Sequence, residues 1–378
     1  MTTFVDLFAG AGGLSLGLVR AGWTPLLAVD SWGDAVQTYN ANFHDHLARI
    51  ESVEELSARR LASLLPHAPD WIVGGPPCQG FSTVGKRVRE DPRNTLVREF
   101  ARIVSELRPH GILVENVIGL RDMRFVEAVS CLFTDLGYRV TPLVLRAADY
   151  GVPQLRHRIF FVGEREGRVF RGPLATRSAS SYVTVWDAIG DLPELLPGEE
   201  ATRYDKPPSS EYQREMRKNS ASLHGHRASR HPAELVRAIS YIPDGGNRRA
   251  IPPELQPKSG FHNSYSRLHS GSPAVAVTQN MGKPSATRCI HPFQDRGLTA
   301  REGARLQGFP DSFHFVGGSV SQRLQIANAV SPLLARVIAE ALDDDDRWAD
   351  SYGSKAPWGT QLEQSSFSST LLELAFAD

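Results

Sequence analysis

Short apolar runs alternate with helix-patterned segments through the first 163 residues, and this alternation restricts the fold more than any other feature of the chain. Phe4-Val5-Asp6-Leu7 reads as a strand, Leu14–Ala21 as a helix, Pro25–Asp30 as a second strand and Asp34–Phe43 as a second helix. Trp71-Ile72-Val73 is a further strand, followed by a helix over Leu96–Leu107 that Pro109 stops. Gly111–Val114 is strand, Phe125–Leu136 helix, and Arg139–Arg146 and Arg158–Val162 complete the set. Apolar strands separated by helices imply an α/β domain whose mostly parallel sheet is covered on both faces.

The texture changes after about residue 165. From 166 to 290 the chain is rich in Pro, Gly, Ser, Arg and His, with weak periodicity. Residues 201–260 hold eleven Lys and Arg against six Asp and Glu. In a chain whose net charge is zero, that local excess fits a phosphate-contacting face. It also fits a solvated, loop-rich domain. Pro332–Leu342 returns to apolar residues at helical spacing, which the basic insert cannot bury. Residues 1–185 and 322–345 are therefore expected to form one domain and 186–321 a smaller second one, with 346–378 a poorly ordered tail.

With 378 residues the chain is long enough for two such lobes. No apolar run approaches the ~18 residues of a membrane span. The N-terminus lacks the basic and apolar parts of a signal peptide. The three cysteines, Cys78, Cys131 and Cys289, are odd in number and widely spaced, which argues against a disulfide framework or a zinc site. A cytoplasmic, metal-free protein is the expectation.

Two turns carry chemistry. Phe8-Ala9-Gly10-Ala11-Gly12-Gly13 joins the first strand to the first helix, where glycines let a ligand approach the helix N-terminus. Alone it is compatible with nicotinamide, flavin or adenosylmethionine. Asp30, at the end of the second strand, could accept hydrogen bonds from ribose hydroxyls or merely cap a helix. The second turn is Gly75-Pro76-Pro77-Cys78-Gln79-Gly80-Phe81-Ser82. Two prolines stiffen it, glycines flank it, and it presents one cysteine at a strand end. Alone it could be an ordinary loop with a half-buried thiol.

With Asp6-Leu7-Phe8-Ala9-Gly10, Gly75-Pro76-Pro77-Cys78-Gln79 and Glu115-Asn116-Val117 in this order, the chain resembles the C5-cytosine DNA methyltransferases. Gln154-Leu155-Arg156-His157-Arg158 is similar to the family's Gln-x-Arg-x-Arg motif. Arg296–Glu302 with Arg305–Asp311, and Asn328-Ala329-Val330, are similar to its last two motifs. The resemblance implies a Rossmann-like class I methyltransferase sheet with helices on both faces, plus a target-recognition domain. It implies S-adenosyl-L-methionine as cofactor, held by Phe8, Gly10, Gly12, Gly13, Asp30, Gly75, Pro77 and Asn328. It implies Cys78 as the nucleophile, Glu115 as the acid at the pyrimidine N3, Arg158 at O2, and Arg156 supporting the loop or the thiolate. The Gly80–Thr95 loop, basic and glycine-hinged, would close on DNA.

Two positions depart from the pattern. Ala327 and Ser331 flank the last motif where Gly and Pro are usual, and Ala48-Arg49-Ile50-Glu51 offers no Asp for the adenine amine. The expected partner is double-stranded DNA, bound by a monomer, either beside a cognate restriction endonuclease as functional counterpart or in an orphan modification role. A transfer-RNA cytosine-5 methyltransferase, a non-catalytic DNA-binding relative and a nicotinamide dehydrogenase are the competing readings. The last leaves Cys78, Glu115 and the two arginines unexplained.

Overall fold

The computed structural model describes residues 1–77, 95–117, 123–257, 264–286 and 288–350. Cys78 and nearly all of the expected Gly80–Thr95 lid lie outside these residues. The chain divides into two compact units. The first holds residues 1–146, 157–174 and 334 onward, and the second holds 147–156 and 175–333. The divisions thus fall at 174/175 and 333/334, where the sequence suggested 185/186 and 321/322, and ten residues at 147–156 join the second unit.

The first unit is built on seven strands: β1 (Thr3–Leu7), β2 (Thr24–Asp30), β3 (Ala48–Ile50), β4 (Trp71–Gly74), β5 (Gly111–Asn116), β6 (Arg139–Arg146) and β8 (His157–Glu164). The two-residue strand β7 (Gln154–Leu155) belongs to the second unit. The sheet order is β3-β2-β1-β4-β5-β8-β6. Pairing is parallel from β3 to β5, and β8 runs antiparallel to both β5 and β6. Every residue of β4 and β5 is buried, as a doubly covered parallel sheet requires.

Alternation along each strand sorts the two faces. Val5, Leu7, Leu27, Val29, Ile72, Ile112 and Val114 form a core with Leu61 of α3 (Ala58–Leu64), with α4 (Thr95–Leu107) and with α5 (Met123–Thr134). Helix α4 fits because Val97, Phe100, Ala101 and Val104 recur at one-face spacing and are all buried. On the opposite face Phe4 meets Trp23 and Asp6 reaches α1 (Gly13–Arg20), with α2 (Gly33–Asn42) beyond it. Helix α11 (Pro332–Leu342) buries Leu334, Ala335, Ile338 and Ala339, and the Trp23 indole donates to Asp343 at 2.7 Å just past its end.

Strand β3 and helix α3 are additions to what the sequence suggested. The start of the expected tail is also fixed. Trp348 is buried, its ring centroid 5.0 Å from that of Phe170, with the Arg168 guanidinium 5.0 Å from its ring. Trp348–Ala349 pairs as a short antiparallel strand with Val169–Phe170. One large aromatic surface removed from water is enough to order residues 346–350. Residues 351–378 lie outside the described part.

The second unit contains short helices, α6 (Val185–Ile189), α7 (Glu211–Arg217), α8 (Ala233–Ile239), α9 (Ala300–Gln307) and α10 (Ser319–Asn328). Its cohesion is ionic as much as apolar. All eight residues of α9 are buried. Arg305 pairs with Asp191 at 2.5 Å and with Asp311 at 2.6 Å, and Arg296 pairs with Glu302 at 2.7 Å. Arg301 donates to the carbonyls of His224, Pro310 and Phe313. The penultimate motif is thus a buried skeleton. Breaking one member of such a network strands a charge, at about 3–5 kcal/mol.

Two predictions follow from this packing. A Cβ on Gly74 would lie 1.9 Å from the Leu7 carbonyl oxygen, whereas one on Gly33 would meet nothing nearer than Ile50 at 3.7 Å. Gly74→Ala should cost more than about 3 kcal/mol by denaturant unfolding, and Gly33→Ala close to nothing. The second concerns acid. Burial pushes His291 down to about 4, and burial opposes the Glu302 charge while Arg296 more than offsets it and holds the carboxyl below its usual range. The unfolded chain therefore takes up protons that the folded one refuses, from about pH 6.5 down for the imidazole and from about 4.5 down for the carboxylate. Thermal midpoints of the wild type should fall relative to His291→Asn as pH drops through the upper part of that window.

Candidate active site

The strand order reverses between β1 and β4, which leaves a crevice at their carboxyl ends. Both chemistry-bearing turns begin there. In the first, Phe8 holds a left-handed backbone at φ 61°, a strain that persists only where the surroundings fix it. The Ala9 N–H donates to the Val29 carbonyl at 3.0 Å. The Asp30 carboxylate accepts the Gly10 N–H and the Trp32 N–H, each at 2.8 Å. Gly12 has φ 88°, and a Cβ there would strike the Phe43 and Tyr39 rings at 2.7 and 2.8 Å. Nothing stands within 4 Å of the corresponding point on Gly10, so that side of the turn is open. Gly13 begins α1. Burial raises the Asp30 carboxyl, against the hydrogen bonds from Trp32, Gly10 and Ser31.

The second turn leaves β4 as Gly75, Pro76 and Pro77, of which Pro76 is buried and Pro77 exposed. The Asn116 side chain donates to the Pro76 carbonyl at 3.0 Å, and its oxygen accepts the Val117 N–H at 2.8 Å. A Cβ on Gly75 would sit 3.0 Å from the Glu115 carboxylate, so glycine lets the elbow lie against the end of β5. Glu115 in turn pairs with Arg158 of β8, Nε to Oε1 at 2.6 Å, with 11% and 13% of their side chains exposed. Burial lowers the Arg158 pKa, and Glu115 offsets only part of that. The antiparallel register of β5 and β8, Asn116 opposite Ile159, brings the two residues to the same strand ends.

Phe8, Gly10, Gly12, Gly13 and Asp30 therefore share one turn, and Gly75, Pro77, Glu115 and Arg158 surround one elbow. Arg156 and Asn328 are placed in the second unit. There the Arg156 guanidinium donates to the carbonyls of Val277 at 3.1 Å and Ala327 at 2.6 Å. Gln154 bonds the Leu306 carbonyl, the Gln307 side chain and the Val277 N–H. Asn328 ends α10 and is exposed. Asp6 was not singled out by sequence, yet its carboxylate is buried under the glycine turn and accepts the Ser15 hydroxyl at 2.6 Å. The available signal was an acidic residue inside an apolar strand.

Residues 2–344 match the C-5 cytosine-specific DNA methylase family. The chain belongs to this family. It is 42% identical to the Type II methyltransferase M1.HphI of Haemophilus parahaemolyticus, over 90% of this chain and 86% of that protein. It is 36% identical to the Type II methyltransferase M.DdeI of Desulfomicrobium norvegicum, over 89% of this chain and 88% of that protein. Among solved structures, a prophage-encoded candidate DNA modification methyltransferase of Escherichia coli superimposes with a TM-score of 0.74 at 28% identity, covering 90% and 98% of the two chains. The chain is thus a DNA cytosine methyltransferase with a Rossmann-like fold. No helix among the described residues is long and apolar enough to cross a membrane.

The Glu115–Arg158 pair predicts a distinctive double-mutant cycle. Arg158→Gln removes the guanidinium from beside a buried carboxylate and should cost about 3–5 kcal/mol by chemical denaturation. Adding Glu115→Gln should restore part of the loss, because the buried charge that lost its cation is then neutralised as well.

Proposed function

We propose that this chain transfers a methyl group from S-adenosyl-L-methionine to C5 of a cytosine flipped out of duplex DNA, through a covalent bond between Cys78 and C6. The observation that carries the reading is the Glu115–Arg158 pair laid against the Gly75–Pro77 elbow, one residue before Cys78. The glycine turn suits the donor: an open side at Gly10, a carboxylate at Asp30, and a position at the switch point of the sheet. When bound there, the donor supplies a methyl group on a sulfonium cation.

Cytosine C5 is a poor nucleophile until a thiolate adds to C6 and makes the ring an enamine. Cys78 supplies that sulfur. Of the other cysteines, Cys131 is exposed and Cys289 is buried, its thiol pushed up by burial to about 12, which leaves it inert. Glu115 accepts a hydrogen bond from the exocyclic amine and acts as the acid that gives its proton to N3 as sulfur adds, taking it back when sulfur leaves. Arg158 fixes Glu115 and is the group for O2. Loss of the C5 proton and expulsion of Cys78 release 5-methylcytosine. The target base leaves the helix first, at a cost of a few kcal/mol. Arg156 is a positioning residue, and the second unit reads the target sequence. The enzyme acts as a monomer and as the protective half of a restriction–modification pair.

Duplex carrying 5-fluorocytosine at the target should trap a covalent complex with the wild type and none with Cys78→Ala. An adduct that maps to Cys131 or Cys289, or full methylation by Cys78→Ala, would refute the assignment.

A further inference from the structure

Asp6 lies in β1, 1% exposed, one residue before the strand end that opens into the glycine turn. Ser15 of α1 donates to its Oδ2 at 2.6 Å, and Tyr39 of α2 donates to the Ser15 oxygen at 3.0 Å. Ser15 has one proton, and it faces Asp6, so this donor chain runs one way and ends at the carboxyl. The other oxygen, Oδ1, has no hydrogen-bond partner among the described residues. Buried polar atoms are paired in the great majority of cases, so an orphan beside a ligand cradle calls for a role.

A carboxyl bonded on one side and bare on the other holds a proton at little cost and a full charge at a large one. Burial pushes Asp6 up to about 7, the Ser15 hydrogen bond opposing and the charge of Asp30 adding to it. The groups facing it are few. Its strand partners Ala28 and Val73 carry no charge. Tyr39 is pushed by burial far above the ordinary phenol range and stays a neutral donor. Asp30, the charged neighbour, is braced by the N–H groups of Gly10 and Trp32.

We propose that Asp6 is the counter-charge that selects a cationic methyl donor over its neutral product. Resting on the reading that the glycine turn holds S-adenosyl-L-methionine, binding of the sulfonium displaces the Asp6 proton to solvent. One positive charge enters and one leaves. The demethylated thioether carries no such charge, so Asp6 takes its proton back after transfer and product binding loses the electrostatic component.

The test is isothermal titration calorimetry on the full chain with S-adenosyl-L-methionine and with S-adenosyl-L-homocysteine, in buffers of different ionisation enthalpy. The two ligands share every other ionisable group. The wild type should release about half a proton more with the donor than with the product near the Asp6 pKa, rising towards about one below it. The ratio of donor to product affinity should rise by up to about tenfold per pH unit below about 7 and level off above it. Asp6→Asn keeps an acceptor for Ser15 and should lose both effects. Asp30→Asn should weaken both ligands and keep the difference between them. Should Asp6→Asn not fold, Ser15→Ala serves: without the hydrogen bond that favours the charged form, the pH midpoint of the affinity ratio should move up. Equal proton release with both ligands, a pH-dependent ratio retained in Asp6→Asn, or an unmoved midpoint in Ser15→Ala would overturn the proposal. Failure of both ligands to bind the wild type would instead overturn the donor-site reading itself.

Discussion

The pairing of β1 with β4 is the constraint on which the first unit depends. Leu7 stands opposite Gly74, and the backbones meet so closely that no side chain fits between them. The strand order reverses at this pair, so the chain leaves one strand end toward α1 and the other toward the elbow. A crevice at that place is a property of the topology and not of any residue that lines it. The glycine turn and the Gly75–Pro77 elbow inherit their closeness from it. The geometry proposed for catalysis is held by strand ends, which are stiffer than loops.

The same region concentrates charge where burial makes charge costly. Asp6, Asp30, Glu115 and Arg158 are all buried or nearly so, and each is managed differently. Asp30 is braced by backbone N–H groups, Glu115 by a guanidinium, and Asp6 by one hydroxyl alone. Fixed charges in a poorly solvated site need no reorganisation when the reaction develops charge of its own. The second unit uses buried ions for another end. Asp191, Arg305, Asp311, Arg296 and Glu302 clamp the segments around α6 and α9, while a small apolar cluster around Ile239, Ile242 and Ile290 packs at α8.

Most of the first unit was legible because its strands are apolar on both faces and its helices keep a one-face spacing. The three-residue strand β3 was not, since Ala48-Arg49-Ile50 has one buried residue at an exposed edge and no apolar run. The second unit was illegible for a related reason. Part of its cohesion comes from ion pairs between residues up to 114 positions apart, and no periodicity records such pairs. The glycine turn, the elbow and Glu115 were readable as motifs. Arg156 and Arg158 received different roles only through the resemblance, because two arginines two residues apart carry no local signal that separates them. They part because β8 begins only at His157, leaving Arg156 to a different hydrogen-bonding neighbourhood.

The second unit is not one continuous insertion: it takes residues 147–156 as well as 175–333. A cassette of 175–333 moved alone into a relative would leave behind Gln154 and Arg156, whose partners Val277, Leu306, Gln307 and Ala327 travel with the cassette. The Gln-x-Arg-x-Arg segment is therefore divided, with Gln154 and Arg156 bonded within the second unit and Arg158 within the first.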